Sequence, residues 1–275
     1  MIDKKPPYLL FDIGGSKTRI AISFDGDYFG EPRIIDTPES FEEGMVQIEK
    51  IAKEMKNENI GLIVGGIAGP LNSEKSMVVN APNIPGWNNK PLKAELEKRL
   101  QAPVMLENDV ALIGLGEALE GAGKGYEIVA YMTVSTGVNG VRIVDGKIDR
   151  SVFGFEMGHQ ILDFDKSTFS GDFENMISGK ALAERYKSHT SDIDDPNAWN
   201  EEAKLVAYGL NNLVVFWSPN VIVIGGSVSQ KLDERLIAKY LREINTIFPV
   251  LPEVKIGMLA SIGGLYGALH YIKSE

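Results

Sequence analysis

Four short groups of residues along the 275-residue chain combine glycine with hydroxyl, carboxylate or imidazole side chains. They are Asp12–Thr18, Glu107–Asp109, Ser135–Gly140 and Glu156–His159. Glycine turns with small hydroxyls can bring backbone N–H groups close to an anion. Carboxylates and imidazoles can accept protons or hydrogen-bond hydroxyl groups. The combination indicates chemistry between a phosphate and a hydroxyl compound.

The first and third groups are predicted to be turns between strands. Asp12–Thr18 contains Gly14 and Gly15 between two predicted strands, and Ser135–Gly140 repeats that design. A carboxylate at a strand end, such as Asp12, can hold hydrated magnesium. Asp12–Thr18 taken alone is equally a simple β-hairpin turn. The Walker pattern is excluded because its Gly-Lys-Ser/Thr is missing, and the Rossmann pattern because the glycines precede a strand.

Glu107–Asp109 follows a predicted short strand and precedes a predicted helix. Asn and Asp are favoured as helix N-caps, so capping alone would explain them. The same corner holds a carboxylate rigidly, and phosphoryl transfer to an alcohol needs a group that takes the hydroxyl proton. Asp109 could be that group, with Asn108 orienting a neighbouring hydroxyl.

Glu156 and His159 place a carboxylate and an imidazole three residues apart. Sugars are bound by short polar side chains that make paired hydrogen bonds, and these two residues suit that task. The alternative for His159 is a hydrogen-bonded structural histidine. His189 and His270 lack such neighbours in the sequence and are interpreted as surface or packing residues.

The elements that position these groups alternate between strand and helix, which predicts an α/β fold with covered sheets. An Asp145-Gly146 hairpin turn follows the second predicted turn region, and Ser40 with Glu43 forms a predicted capping box. The predicted strands are 8–13, 19–24, 60–64 (broken by Gly65-Gly66), 104–106, 128–134, 138–144 and 221–224; the predicted helices are 40–55, 91–100, 109–119, 173–187, 199–217, 232–247 and 263–272.

The composition is that of a soluble globular protein, with 44% hydrophobic and 24% charged residues. No apolar run or leader pattern predicts a membrane segment or a signal peptide. The absence of cysteine fits a reducing cytoplasm. A net charge of −10 argues against nucleic acid as a partner but does not exclude phosphate ligands. We expect two lobes, residues 1–108 with a returning helix at about 263–275, and residues 109–262.

In this order the motifs resemble the ROK family of bacterial glucokinases, other hexose kinases and sugar-responsive repressors. The resemblance covers nearly the whole chain. The matching segments are Asp12–Arg19 (with Ser16 for Thr), Pro82–Trp87, Glu107–Asp109, Gly116–Ala118 with Gly121–Gly125, Phe155–His159 (with Phe155 for Gly) and Gly225-Gly226.

The resemblance implies a two-lobed actin/hexokinase-like (ribonuclease-H-like) fold, with ATP and sugar in the cleft between the lobes. It also implies Mg²⁺, a homodimer, and Asp109 as the proton acceptor. Implied substrate-binding residues are Gly66, Asn83, Asn108, Glu156, His159 and Glu174. Implied cofactor-binding residues are Asp12 (also the metal ligand, through water), Gly14, Gly15, Ser16, Lys17, Thr18, Ser135, Thr136, Gly137, Gly225 and Gly226. Glu174 is otherwise an acidic residue favoured at the start of a helix.

Three departures from the family pattern matter. The interval 160–173, where most ROK proteins carry zinc-binding cysteines, is short and contains none, so no structural zinc is predicted. The second turn reads Ser135–Val141. We expect Asn139 to replace a glycine in left-handed conformation, and Ser135 and Val141 to crowd the phosphate path. The sequence before the first strand is too short for a helix-turn-helix, which argues against a repressor.

The favoured function is ATP-dependent phosphorylation of a hexose. The alternative is a ROK-type sugar-binding protein without phosphoryl transfer, suggested by the altered second turn and the missing zinc site. An acetate-kinase-like specificity has no support in these motifs, whereas an N-acetylated sugar remains open. The identity of the hexose does not follow from one sequence.

Overall fold

The computed structural model describes residues 5–55, 59–163, 165 and 171–274. These residues form ten strands and eight α-helices, arranged around two five-stranded sheets. The described chain divides into two compact units. One spans Met1–Gly116, Arg150–Gly154 and Ser261–Glu275, and the other spans Glu117–Asp149 and Phe155–Ala260. The lobe boundaries expected from the sequence, at 108 and 262, remain predictions.

The sheet of the first unit has the order β3-β2-β1-β4-β5. β2 is antiparallel to β1 and β3, whereas β4 is parallel to both β1 and β5. Every residue of β1 is buried, so elements cover the sheet on both faces. α1 and α2 share a hydrophobic core with this sheet, and α8 also packs on β1 and β4. The elements are β1 Tyr8–Ile13, β2 Lys17–Ser23, β3 Arg33–Asp36, β4 Leu62–Ile67, β5 Val104–Asn108, α1 Phe41–Met55, α2 Leu92–Leu100, α3 Asp109–Leu119 (the last three residues in the other unit) and α8 Gly263–Ser274.

The sheet of the second unit has the order β10-β9-β6-β7-β8. Its core lies between the sheet and the long helix α6, which also packs against α7. Asp145 (φ 51°) and Gly146 (φ 69°) form the turn into β8, which confirms the predicted hairpin. The elements are β6 Ile128–Val134, β7 Val138–Val144, β8 Lys147–Ile148, β9 Val221–Gly225, β10 Glu253–Ile256, α4 Glu174–Ile177, α5 Gly179–Tyr186, α6 Pro196–Trp217 and α7 Glu234–Ile244.

The two sheets repeat one design. Each has a three-stranded antiparallel part followed by two parallel strands, so β1, β2, β4 and β5 correspond to β6, β7, β9 and β10. The sequence echo between Asp12–Thr18 and Ser135–Gly140 is therefore the β1–β2 turn repeated as the β6–β7 turn. Gly65-Gly66 lies in β4, and in the corresponding strand β9 Gly225 is the last residue, with Gly226 directly after it.

Several element bounds differ from prediction. β4 does not break at Gly65-Gly66 but runs through both, paired with β1. Glycine at 65 permits this close approach, because a Cβ there would lie 2.4 Å from the Phe11 carbonyl oxygen. The helix predicted over 173–187 is interrupted at Ser178, which has extended backbone and caps α5 by accepting a hydrogen bond from the Ala181 N–H. The short strands β3 and β10 were not predicted.

The capping box at the start of α1 forms in part. The Glu43 N–H donates to the Ser40 hydroxyl over 3.4 Å, but the Glu43 carboxylate accepts from Gln47 Nε2. α7 begins later than predicted, at a cap in which Asp233 accepts from the N–H groups of Arg235 and Leu236. In the part of the chain that the structure describes, no helix has the length and apolarity needed to cross a membrane.

Candidate functional site

The β1–β2 turn is held from outside by one residue after β3. Thr37 donates its hydroxyl to the Gly14 carbonyl (2.8 Å) and its N–H to the Ser16 carbonyl (3.0 Å). Its hydroxyl is also 3.0 Å from that of Thr18, which is buried. Thr18, predicted to bind the cofactor, thus anchors the turn, while the tip from Gly15 to Lys17 is exposed. The Gly14 N–H donates to the Lys17 carbonyl, which closes the turn.

Asp12 lies at the base of this turn, at the end of β1, and its carboxylate is buried. Arg19, its partner across the β1–β2 ladder, places Nη1 3.5 Å from Oδ2. Burial raises the pKa of Asp12 to about 6, although Arg19 opposes the rise. A side chain at Gly264, at the start of α8, would lie 2.7 Å from the Asp12 carboxyl carbon. Glycine therefore lets α8 begin against this carboxylate.

The Pro82–Trp87 segment contacts the same turn. A Cβ on Gly15 would lie 2.9 Å from the Asn83 Cβ, so the predicted sugar contact packs directly on the predicted phosphate turn. The segment is anchored by Trp87, which is buried and donates its indole N–H to the Pro38 carbonyl. Asn83 itself is exposed.

Asn108 and Asp109 form the corner between β5 and α3. The Asn108 side chain caps α3 by accepting from the Ala111 N–H (3.1 Å) and donates Nδ2 to the Gly69 carbonyl (3.1 Å). The capping interpretation is thus correct, and the cap also fixes the orientation of the amide. A side chain at Gly66 would lie 2.9 Å from the Asp109 Cα, so Gly66 permits the close approach of β4 to this corner. Both Asn108 and Asp109 are half-buried.

The β6–β7 turn in the second unit is closed by a bond from the Ser135 N–H to the Gly137 carbonyl. A carboxylate lies on it: Glu174, the first residue of α4, accepts the Val138 N–H at 2.8 Å. The expectation of a left-handed Asn139 is wrong. Asn139 is paired with Thr133 inside β7, and its backbone φ is not positive. Val141, expected to crowd the phosphate path, is also within β7 and buried.

Glu156 precedes a single 3₁₀ turn, Met157–His159, which ends at His159 and packs against β7. Desolvation of its carboxyl raises the pKa of Glu156, and the nearby Glu174 carboxylate adds to the rise, while His159 and a hydrogen bond from Asn139 oppose it. The Glu156 carboxyl therefore lies close enough to His159 and Glu174, the other predicted sugar-binding residues of this unit, to be affected by their charges. His159 is exposed, with Nδ1 3.9 Å from an Asp172 carboxylate oxygen.

Gly225 and Gly226 pack against the end of β6. A side chain at Gly225 would strike the Tyr131 hydroxyl at 2.2 Å, and Gly226 has a φ of 91° that favours glycine. The turn after Gly226 is tied to β6 by a bond from the Val228 N–H to the Val134 carbonyl. This packing explains both glycines structurally and places them beside the β6–β7 turn.

The ROK family profile matches residues 8–275. The chain belongs to the ROK family. It is 28% identical to an N-acetyl-D-glucosamine kinase from Shigella boydii, over 95% of this chain and 97% of that one. Among solved structures it is similar to a ROK hexokinase from Thermus thermophilus (27% identity, TM-score 0.84, covering 98% of this chain and 99% of that one). It is also similar to a ROK family glucokinase from Streptomyces griseus in complex with glucose and AMPPNP (25% identity, TM-score 0.82, covering 98% and 100%).

These likenesses confirm the predicted actin/hexokinase-like fold and the ROK assignment. The ROK motif Gly116–Ala118 with Gly121–Gly125 has a structural explanation. The buried Glu117 carboxylate accepts the N–H groups of Ala122 (3.0 Å) and Leu259 (2.7 Å). Gly121 is required because a side chain there would strike Glu117. This motif therefore holds the chain after α3 to the segment after β10.

The sequence contains no cysteine and so lacks the cysteines with which most ROK proteins bind zinc. Within the interval 160–173, for which no structural zinc is predicted, residues 164 and 166–170 lie outside the described residues. The residue predicted to hold Mg²⁺ through water is Asp12. Across residues 5–55, 59–163, 165 and 171–274, no cluster of three or more His, Cys, Asp or Glu side chains could cage a metal. Mg²⁺ usually keeps several waters and uses one or two carboxylates, so Asp12 fits such a role.

Residues that sequence reasoning missed include Thr37, Lys75 and Tyr271. Lys75 pairs with Glu107, next to the Asn108–Asp109 corner, and donates to the Tyr271 hydroxyl. The partners in these contacts are 23 to 196 positions apart in sequence. No local motif or periodicity marks such contacts, so no sequence signal was available.

Proposed function

We propose that this ROK protein is an ATP-dependent hexose kinase in which Asp109 accepts the proton of the attacking sugar hydroxyl. The observation that carries the proposal is the fixed corner at the start of α3. The Asn108 amide is hydrogen-bonded through its nitrogen to Gly69 and through its oxygen to Ala111. β4 also lies so close to Asp109 that position 66 has no room for a side chain. A rigidly held carboxylate is what general-base catalysis of phosphoryl transfer requires. Similarity to sugar kinases along nearly the full chain supports the proposal.

Sugar hydroxyls would be bound by Glu156, His159 and Glu174, together with Asn108 and Asn83 and the Gly66 backbone. An amide has two N–H donors and two acceptor lone pairs. The Asn108 side chain uses one donor and one lone pair within the fold, which leaves it able to orient a hydroxyl. The carboxylates of Glu156 and Glu174 supply acceptors for further hydroxyl donors.

ATP would be bound at the glycine turns Gly14–Lys17 and Ser135–Gly137 and beside Gly225-Gly226. Asp12 would hold Mg²⁺ through water, and the metal would neutralise charge on the phosphates. The protein's own contribution is to keep Asp12 at a fixed place. Arg19 and the start of α8 at Gly264 constrain it. The exposed tip of the β1–β2 turn gives phosphate oxygens access to backbone N–H groups.

A specific observation supports the second candidate, a sugar-binding protein without phosphoryl transfer. The Glu174 carboxylate lies on the β6–β7 turn and accepts the Val138 N–H. A carboxylate at that turn would repel a phosphate there. An active kinase requires that this charge be engaged by the sugar or displaced when ATP binds.

The experiment that separates the two candidates is ADP release from Mg-ATP with glucose, mannose, fructose, allose, N-acetylglucosamine and N-acetylmannosamine. The kinase proposal predicts turnover with at least one sugar. Thermal stabilisation by a sugar without any ADP release would support the binding protein instead. ADP release that needs no sugar would contradict both.

We also propose a homodimer formed through the second unit. The outer face of α6 and the segment before α4 expose large apolar side chains, and large exposed apolar patches, unlike single scattered residues, mark interaction surfaces. They are Ile161 (71% exposed), Tyr208 (42%), Val215 (45%) and Phe216 (80%). Light scattering should give twice the chain mass of 30.1 kDa. Phe216→Glu should yield the monomer mass, whereas a monomeric wild type would refute the proposal.

A further inference from the structure

Lys75 lies in a loop that is stabilised by hydrogen bonds within the loop itself. The loop begins after β4 and is bridged by pairing of Leu71 with Val78. The Asn72 side chain accepts the N–H groups of Ser76 (2.8 Å) and Met77 (3.2 Å), which fixes the turn. Lys75 itself has a left-handed backbone, with φ of 48°. The loop therefore determines the direction in which the lysine side chain leaves it.

The lysine reaches a buried carboxylate. Its ammonium group bonds Glu107 Oε2, and it also donates to the Tyr271 hydroxyl of α8 at 3.2 Å. Glu107 is only 7% exposed. Burial alone would lower the pKa of Lys75, but attraction to Glu107 outweighs it and raises that pKa. Lys75 is thus charged at neutral pH, and its contacts join the loop, β5 and α8.

The same loop is connected twice to Asn108. Glu107 Oε1 accepts the Asn108 N–H at 2.9 Å, so the lysine acts on the Asn108 backbone through Glu107. The residue that opens the loop, Gly69, accepts the Asn108 Nδ2 through its carbonyl. Both the backbone and the side chain of Asn108 therefore depend on where this loop lies.

We propose that Lys75 and Glu107 are positioning residues that hold the Asn108–Asp109 corner in place for the reaction. The inference rests on the proposed role of Asp109. Lys75 bonds neither Asn108 nor Asp109 in the contacts described, and it acts by fixing the carboxylate that orients the Asn108 backbone. Removing it would leave Glu107 buried without its counter-charge, and Glu107 would then turn toward water or another donor. A merely structural pair would contribute to stability and leave the corner unchanged.

The test is Lys75→Met, compared with Lys53→Met, which removes an exposed lysine paired with Glu49 on α1. We expect kcat to fall about 10- to 100-fold, because a small misplacement of catalytic groups costs that much. The sugar KM should rise by a smaller factor, because Asn108 is one of several proposed sugar contacts. We also expect amide hydrogen exchange at Asn108 and Ala111, measured by NMR, to accelerate about 10-fold or more relative to the rest of β5. Lys53→Met should change none of these quantities.

Two further variants keep the test decisive if Lys75→Met folds poorly. Lys75→Met/Glu107→Gln removes both charges; it should regain stability but keep the low kcat. Lys75→Arg should restore the exchange protection. Lost stability with unchanged kcat per folded molecule and unchanged exchange at Asn108 and Ala111 would overturn the inference. If the wild type phosphorylates no sugar, the proposed function fails, and the exchange data still decide whether Lys75 positions the corner.

Discussion

The Val138 N–H donates a hydrogen bond of 2.8 Å to Glu174 Oε2, which joins the β6–β7 turn to the first residue of α4. Gly137 makes the contact possible, because a Cβ there would lie 2.7 Å from the same oxygen. A proposed sugar-binding carboxylate and a proposed phosphate-binding turn therefore share one hydrogen bond. Sugar and nucleotide binding should be coupled through it.

Gly137→Ala is predicted to weaken sugar binding with little loss of stability. The new methyl group would displace only the far end of the Glu174 side chain, so the fold can adapt. The displaced Glu174 carboxylate would lose one charge-assisted hydrogen bond to the sugar. Such a loss corresponds to an increase in the sugar KM of about 10-fold. Steady-state kinetics and a melting curve check this. Gly30→Ala is the control, since its Cβ would meet nothing closer than 3.9 Å. An unchanged KM would show that Glu174 does not bind sugar from this position.

Protonation of Asp12 should lower the activity on the acidic side of the pH profile and so produce an acidic limb. Burial raises its pKa to about 6, so the carboxylate proposed to hold Mg²⁺ is protonated below that pH. kcat/KM for Mg-ATP should therefore fall as pH decreases through 6. Asp12→Asn should lower kcat/KM about 100-fold or more and abolish this limb. Measurement of both profiles between pH 5 and 8.5 decides the matter. A limb at pH 6 that persists in the variant would assign it to another group.

Glu202 should make the protein less stable as pH rises. Its side chain is fully buried on α6; Arg185 Nη1 lies 3.4 Å from Oε2, and among the described residues Oε1 has no hydrogen-bond partner. Burial raises the pKa of Glu202 to about 8, although Arg185 opposes the rise. The folded state thus holds a proton that the unfolded chain releases above its ordinary pKa of 4.5, and the free energy of unfolding falls between about pH 4.5 and 8.

Glu202→Gln removes this titration. The free energy of unfolding of both proteins is measured by urea denaturation at pH 5 and pH 8. Over this range it should fall further in the wild type than in Glu202→Gln, by about 2 kcal/mol or more. Glu201→Gln, one residue away and exposed, should behave like the wild type. Parallel pH dependence in all three proteins would mean that Glu202 is ionised in the folded state.

Glu117 should matter for stability rather than for catalysis. Glu117→Ala would leave the N–H groups of Ala122 and Leu259 without their acceptor in the interior, at a cost of about 2–4 kcal/mol. Glu120→Ala removes an exposed i,i+4 pair with Lys124 and should cost about 0.5 kcal/mol or less. Urea denaturation compares the two. Equal losses would contradict the assigned role of Glu117.

The sequence predicted best where local pattern and boundary residues agree. The bounds of β1, β6, β7 and α3 match prediction, since buried runs, glycine turns and an Asn cap mark their ends. Six motifs in order were enough to predict the fold, which the similarity to ROK structures confirms.

The features of the fold and the site that the sequence did not predict depend on contacts between residues distant in sequence. Glu174 and Val138 are 36 positions apart, and Lys75 and Glu107 are 32 apart. Neither pair is visible in a local pattern. Asn139 illustrates the converse: its residue type suggested a left-handed turn, but pairing with Thr133 in the β6–β7 ladder keeps it extended. Tertiary pairing overrode local preference at that position.

Asp109→Asn tests the proposed chemistry most directly. The variant keeps the shape of the side chain but cannot accept the hydroxyl proton. With the sugar that the wild type phosphorylates, kcat should fall about 10²- to 10⁴-fold, while the sugar dissociation constant, measured by calorimetry, should barely change. Wild-type turnover in Asp109→Asn, or an equal loss of sugar affinity and kcat/KM, would contradict Asp109 as the general base.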